Sequence, residues 1–186
     1  MSLSIATFNV RGLSDERKRE NLGIDMARYK VDIAALQETK IKKGCNETIN
    51  NSDLICFPTN EDSYGLGFVI HYKWKEKVKR TWKINDRIAI LQLEPKVKNK
   101  KKTKPIYTSR KLTKGMRLKI RLKSNNNLIT IINCYAPHSE VTKKNPKETE
   151  KFYETLDGLV HKYNKKSSLL IVAGDMNASV GKKKNE

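Results

Sequence analysis

Leu169-Leu170-Ile171-Val172-Ala173-Gly174-Asp175-Met176-Asn177 is the stretch on which the fold turns. Its five leading apolar residues predict a fully buried strand. Gly174 permits a turn, and a carboxylate and an amide follow at once. Unpaired polar groups are expensive at the end of a dry strand. Two residues apart on an extended backbone, Asp175 and Asn177 face one side. Such a pair can hold a hydrated metal, a phosphate or an attacking water. It can also close an Asx turn on its own backbone. Taken alone, the stretch favours the turn; the rest of the chain shifts the reading toward chemistry.

Working outward, three other apolar runs stop in the same way. Leu3-Ser4-Ile5-Ala6-Thr7-Phe8 stops at Asn9, with Gly12 in the turn beyond. Val31-Asp32-Ile33-Ala34-Ala35-Leu36 stops at Gln37 and Glu38. Leu128 to Tyr135 stops at Tyr135-Ala136-Pro137-His138. Between the first two runs, Ser14 is the expected N-cap of a helix carrying Leu22, Met26 and Tyr29, with Asp15 and Glu16 in its first turn. Asn145 and Pro146 are expected to open a second helix, whose apolar stripe is Phe152, Leu156, Leu159, Val160 and Tyr163. Strand, helix, strand at these lengths suits a layered α/β fold. Further strands are expected at Tyr64–Tyr72 and Arg87–Glu94; the 41–63 segment reads as polar and turn-rich.

Length allows one domain, spanning 1–186, with a sizeable core. Lys and Arg number 39 against 20 Asp and Glu, a net charge of +19 that favours a polyanionic partner, nucleic acid before membrane. The most basic part is 96–123. Residues 96–115, with Lys100 to Lys104, read as a basic loop insertion. Met116 to Lys123 alternates strictly, giving a half-exposed strand with Arg117, Lys119, Arg121 and Lys123 in a cationic row. That row grips phosphates or keeps an edge soluble; both readings stand. A turn at Asn125-Asn126-Asn127 would pair this strand with Leu128–Tyr135. Three cysteines without C-x-x-C spacing argue against disulfides and zinc. No apolar run has membrane-spanning length and the N-terminus lacks a signal-peptide pattern. An intracellular protein without membrane attachment is expected.

Asn9, Glu38, Tyr135, Asp175 and Asn177 offer oxygens suited to a hard cation such as Mg²⁺, not to zinc. The order Thr7-Phe8-Asn9-Val10-Arg11-Gly12, Leu36-Gln37-Glu38-Thr39-Lys40, Asn133-Cys134-Tyr135-Ala136-Pro137 and Gly174-Asp175-Met176-Asn177 resembles the endonuclease/exonuclease/phosphatase family. The wording is most similar to the apurinic-type endonuclease domain of non-LTR retrotransposons. The resemblance implies a four-layer α/β sandwich with two mixed β-sheets. It also implies Mg²⁺-dependent hydrolysis of DNA phosphodiesters, with Mn²⁺ as an alternative cation, DNA as partner and the nucleus as location. By motif, Glu38 is the metal ligand and Asn9 stands beside it, contacting either the metal's surroundings or the phosphate. Tyr135 donates to the scissile phosphate, Asp175 orients or deprotonates the water, and Asn177 holds the phosphate or Asp175. His138 lies where relatives carry a substrate contact, and is equally readable as a surface turn histidine.

The family's closing Ser-Asp-His motif is not found after Asn177, and His71 and His161 sit in other contexts. The resemblance therefore implies a domain incomplete at its C-terminal side, with an exposed sheet edge or open core face. It also implies cleavage that is weak or absent. A basic nucleic-acid-binding protein without catalysis, and a phosphatase for phosphoinositides or other small substrates, are the alternatives.

Overall fold

A computed structural model describes residues 2–60, 64–95, 106–112, 115–122 and 128–178. The Lys100–Lys104 run, Lys123, the Asn125–Asn127 turn and residues 179–186 lie outside the described residues. The chain runs β1 (Ser2–Asn9), α1 (Glu16–Arg28), β2 (Ile33–Gln37), β3 (Cys45–Ile49), β4 (Ser52–Cys56), β5 (Leu66–His71) and α2 (Tyr72–Lys75). It continues with β6 (Val78–Asn85), β7 (Ile88–Leu93), β8 (Ile106–Leu112), β9 (Gly115–Arg121), β10 (Ile129–Tyr135), α3 (Ser139–Lys144), α4 (Pro146–Lys166) and β11 (Leu169–Asp175).

Two mixed sheets stack face to face. One has the order β3-β4-β5-β2-β1-β9-β8, the other β11-β10-β7-β6. Period-two alternation sends the side chains of the central strands into two different cores. From β1, Leu3 and Ile5 enter the core between the sheets, while Ala6 and Phe8 pack beneath α1 with Leu22 and Met26. From β10, Ile129, Ile131 and Tyr135 face the other sheet, while Ile132 and Cys134 pack beneath α4 against Phe152, Leu156 and Tyr163. The result is four layers, helix–sheet–sheet–helix.

The strands that carry the polar endings run alike. β1 and β2 are parallel, with Asn9 opposite Gln37. β10 and β11 are parallel, with Tyr135 opposite Asp175. Four carboxyl-terminal strand ends thus meet at one edge of the sandwich.

Several sequence expectations are corrected. The 96–115 insertion is not a loop throughout: Ile106–Leu112 is a strand paired antiparallel with β9. β9 does not pair with β10; it pairs with β1, and β10 lies between β7 and β11 in the other sheet. Strict alternation in β9 fits a strand with one wet face, whereas all seven residues of β10 are buried and require covers on both faces. The 41–63 segment contains the hairpin β3–β4. The strand opening at Tyr64 ends at His71, and Tyr72 begins the short helix α2. Asp15, not Ser14, caps α1, its carboxylate accepting from the amides of Arg17 and Lys18 at 2.8 and 3.4 Å. Asn145 does precede α4 with Pro146 in its first turn, but its side chain makes no capping bond. Finally, β11 is not fully buried. Only Ile171 is, and Val172 is 44% exposed, because β11 lies at the sheet edge with β10 alone beside it among the described strands.

Candidate active site

Asn9, Tyr135 and Asp175 end three strands on the face that looks toward the opposite sheet. Glu38 would break this pattern if β2 simply continued. Its backbone instead turns left-handed, with φ 55°, and brings the carboxylate round to the others. Arg11, Lys40 and Asn177 also have positive φ, at 50°, 55° and 45°. For residues with a Cβ this conformation costs roughly 1–2 kcal/mol each, and such strain tends to gather at functional sites. Backbone hydrogen bonds from Val10 to Gln37, Gly12 to Glu38 and Leu13 to Thr39, at 3.0, 2.7 and 2.9 Å, hold the turns after β1 and β2 together.

The side chains form a connected group. The Asn9 amide nitrogen donates to Glu38 Oε1 at 2.7 Å and to Asp175 Oδ2 at 3.0 Å. The Tyr135 hydroxyl donates to the same Glu38 oxygen at 2.9 Å. Lys40 Nζ lies 3.4 Å from Glu38 Oε2. Asp175 Oδ1 accepts from the Asn177 backbone amide at 3.0 Å, and the Asn177 side chain donates to the Ala136 carbonyl at 2.6 Å. The Asx turn therefore does form, and it uses one Asp175 oxygen while the other reaches Asn9.

Burial alone would raise the Glu38 pKa. Hydrogen bonds from Asn9 and Tyr135 and the charge of Lys40 outweigh it and hold the carboxyl below its ordinary value. Burial, the bond to Glu38 and the Glu38 charge push the Tyr135 phenol up to about 12. Glu38 is thus kept anionic and Tyr135 kept a neutral donor.

Gly174 is needed for close approach. A Cβ there would collide with the Cys134 carbonyl oxygen on the neighbouring strand. A cleft of about 540 Å³ opens beside Asn9 and Asp175, between the end of β1 and α1, with Arg11, Lys18 and Asn21 on its wall.

Arg87 was not singled out by sequence. It is 6% exposed. Its guanidinium bonds Glu148 of α4 at 3.0 and 2.8 Å, the Tyr64 hydroxyl at 2.7 Å and the Tyr135 carbonyl at 3.3 Å. It also lies 4.1 Å from the centre of the Tyr64 ring, so it braces the strand end that presents Tyr135. A charged residue at the mouth of a largely apolar strand was the available signal.

Of the remaining sequence candidates, the cationic row is not gathered here. His138 is half-buried just before α3, and its side chain makes no capping bond. Arg117, Lys119 and Arg121 stand opposite Ala6, Ser4 and Ser2, so the row runs away from Asn9 along β1. At about 3.3 Å per residue, Arg117 is already some 10 Å back. Arg117 donates to the Tyr29 carbonyl at the end of α1, and Lys119 is exposed.

The donor set fits an oxygen-loving divalent cation: two carboxylates on adjoining strand ends, Glu38 held anionic, and no His or Cys among them. In this arrangement Asn9 turns its side-chain nitrogen to both carboxylates and so spaces their oxygens. No cluster of three or more His, Cys, Asp or Glu that could hold a metal ion occurs among the described residues.

Comparison with solved structures places the fold. The chain is similar to the AP endonuclease LMAP from Leishmania major, at 15% identity and TM-score 0.67, covering 96% of this chain and 56% of that one. It is similar to the 3′ phosphatase NExo from Neisseria bound to a product DNA hairpin, at 14% identity and TM-score 0.58, covering 96% and 59%. It is also similar to the endonuclease domain of TRAS1, a telomere-specific non-LTR retrotransposon, at 14% identity and TM-score 0.55, covering 96% and 62%. The chain thus spans 56–62% of the length of these three structures. Comparison with curated proteins by sequence gives no match. Residues 6–182 match the sequence profile of the Endonuclease/Exonuclease/phosphatase family, which covers all four strand endings, and the chain belongs to that family.

Proposed function

We propose that this site hydrolyses phosphodiester bonds of DNA with the help of Mg²⁺. The observation that carries the reading is the Asn9 amide reaching Glu38 at 2.7 Å and Asp175 at 3.0 Å, which unites carboxylates from both sheets. Glu38 would hold the cation, with Asp175 near it. A divalent ion there supplies positive charge against the charge that builds on the phosphoryl oxygens. With a cation held at Glu38, the Tyr135 hydroxyl would turn its one hydrogen from Glu38 to the phosphate, without adding negative charge. Asp175 orients a water and takes its proton as the water oxygen bonds to phosphorus. The bond to the leaving oxygen breaks, and that oxygen is protonated from solvent. Asn177 fixes Asp175 through its backbone amide.

The net charge of +19 supports DNA over a small phosphate ester as substrate. The similar structures point the same way: an AP endonuclease, a phosphatase bound to a DNA hairpin and a retrotransposon endonuclease domain. A DNA substrate in turn implies the nucleus. Among the described residues no helix is long and apolar enough to cross a membrane.

Plasmid nicking tests the proposal. Supercoiled DNA is expected to relax only weakly in Mg²⁺ and to stay intact with chelator or with Glu38→Gln. Nicking that survives both, or phosphate release from inositol phosphates without any nicking, contradicts it.

A further inference from the structure

Among the described residues, two buried amide side chains from opposite sheets lie in the core between the sheets. There Gln37 of β2 and Asn133 of β10 meet, at 1% and 0% exposure. Gln37 Nε2 donates to Asn133 Oδ1 at 2.7 Å and to the Ala35 carbonyl at 3.1 Å. Gln37 Oε1 accepts from the Thr7 hydroxyl of β1 at 3.1 Å. Asn133 Nδ2 donates to the carbonyls of Leu36 and Gly67 at 2.8 and 2.9 Å. Leu36 and Gly67 are directly opposite partners in the β2–β5 pair, so one side chain of the second sheet straddles a junction of the first. Every amide hydrogen of both side chains has an acceptor.

Alternation demands apolar residues at these positions. Gln37 shares a face with Ile33 and Ala35, and Asn133 with Ile129 and Ile131. Buried amides gain little net stability over well-packed apolar groups. Their advantage is directional: apolar contacts tolerate sliding, whereas a fully satisfied network admits one arrangement. The position is telling. Gln37 directly precedes Glu38, and Asn133 lies two residues before Tyr135 on the same face.

We propose that Gln37 and Asn133 are a positioning pair, fixing the offset between the sheets so that the Tyr135 hydroxyl meets Glu38. Neither touches substrate or metal. Their consequence for catalysis rests on the function proposed above; their consequence for geometry does not.

The test is the double variant Gln37→Met/Asn133→Leu in the full chain. It removes both partners together at similar volume and leaves neither amide unpaired. Its crystal structure is expected to show Tyr135 and Glu38 beyond hydrogen-bond distance, against 2.9 Å in the parent. Its Mg²⁺ affinity by calorimetry is expected to fall about 10-fold or more, as for other groups that orient metal ligands. Adding Tyr135→Phe should cost no further affinity, since both changes act through one contact; a merely structural pair would give additive losses. Thr7→Val, a milder variant that unpairs Gln37 Oε1, keeps the question open to test should the double variant fail to fold. It should loosen the same contact to a smaller degree. An unchanged Tyr135–Glu38 contact, or strictly additive losses, overturns the proposal. A parent chain that binds no Mg²⁺ overturns the function reading instead, and the crystallographic distance then decides the positioning pair.

Discussion

Strands β2 and β11 each end at a carboxylate, and they hold it in opposite ways. All five residues of β2 are buried, with β1 and β5 on either side. Only Ile171 is buried in β11, which has β10 alone beside it among the described strands. Glu38 is gripped by Asn9, Tyr135 and Lys40, while Asp175 has Asn9 and a backbone amide of its own turn. The difference matches the roles proposed. A group that holds a cation gains from a rigid mount, and a group that moves a proton must reach water.

The largest effect expected from breaking this contrast is on chemistry. Asp175→Asn keeps the shape and removes the proton acceptor, so kcat should fall on the order of 10³-fold with Mg²⁺ affinity changed much less. Glu38→Gln should do the reverse, losing Mg²⁺ binding first. Calorimetry and single-turnover cleavage on both variants separate the two roles. Equal losses of affinity in both would erase the distinction.

Next comes the β10–β11 contact. Gly174→Ala forces a Cβ against the Cys134 carbonyl, and the edge strand must move away from its only described neighbour. A destabilisation on the order of 3 kcal/mol is expected, read from urea unfolding. An alanine variant of parental stability would show that the strands have room.

How the site's charges respond to pH sharpens the picture. The folded chain binds a proton on Glu38 less tightly than the unfolded chain does. The stability Glu38 contributes is therefore present above its ordinary value of 4.5 and lost as pH falls below it. Tyr135 behaves oppositely. Its proton is held more tightly when folded, so its contribution is present below the ordinary value of 10.0 and lost as pH rises toward about 12. Thermal unfolding across pH should show an alkaline decline in the parent that Tyr135→Phe lacks.

The four strand endings were legible because a buried apolar run that stops at a carboxylate or amide is costly unless the group has a task. The layered class followed from strands alternating with helices at Leu22–Met26 and Phe152–Tyr163. Pairing was not legible. Alternation tells which face of β9 is wet but not which strand lies beside it, and a turn between neighbouring strands suggested the wrong partner. β3 was missed because Cys45-Asn46-Glu47-Thr48 presents polar groups on its open face, and β8 because flanking lysines masked Ile106-Tyr107-Thr108. Within the site, the left-handed turn at Glu38 cannot be read from a glutamate. Gln37 and Asn133 did leave a signal, as amides on otherwise apolar faces.

The smallest effect concerns the cationic row. Lys119 is exposed and stands opposite Ser4, far along β1 from Asn9. Lys119→Ala should weaken duplex binding uniformly and lower the salt slope by about 0.9, with kcat unchanged. A fall in kcat would put the row nearer the chemistry than β9 allows.

The central claim is that four strand ends form one cation site. Titration of ¹⁵N-labelled protein with Mn²⁺ tests it most directly, since the paramagnetic ion broadens the nearest amides first. Broadening should begin at Asn9, Glu38, Tyr135 and Asp175 and be reversed by excess Mg²⁺. Broadening that begins instead at the acidic start of α1, at Asp15, Glu16 and Glu20, and leaves the strand ends sharp would contradict the account.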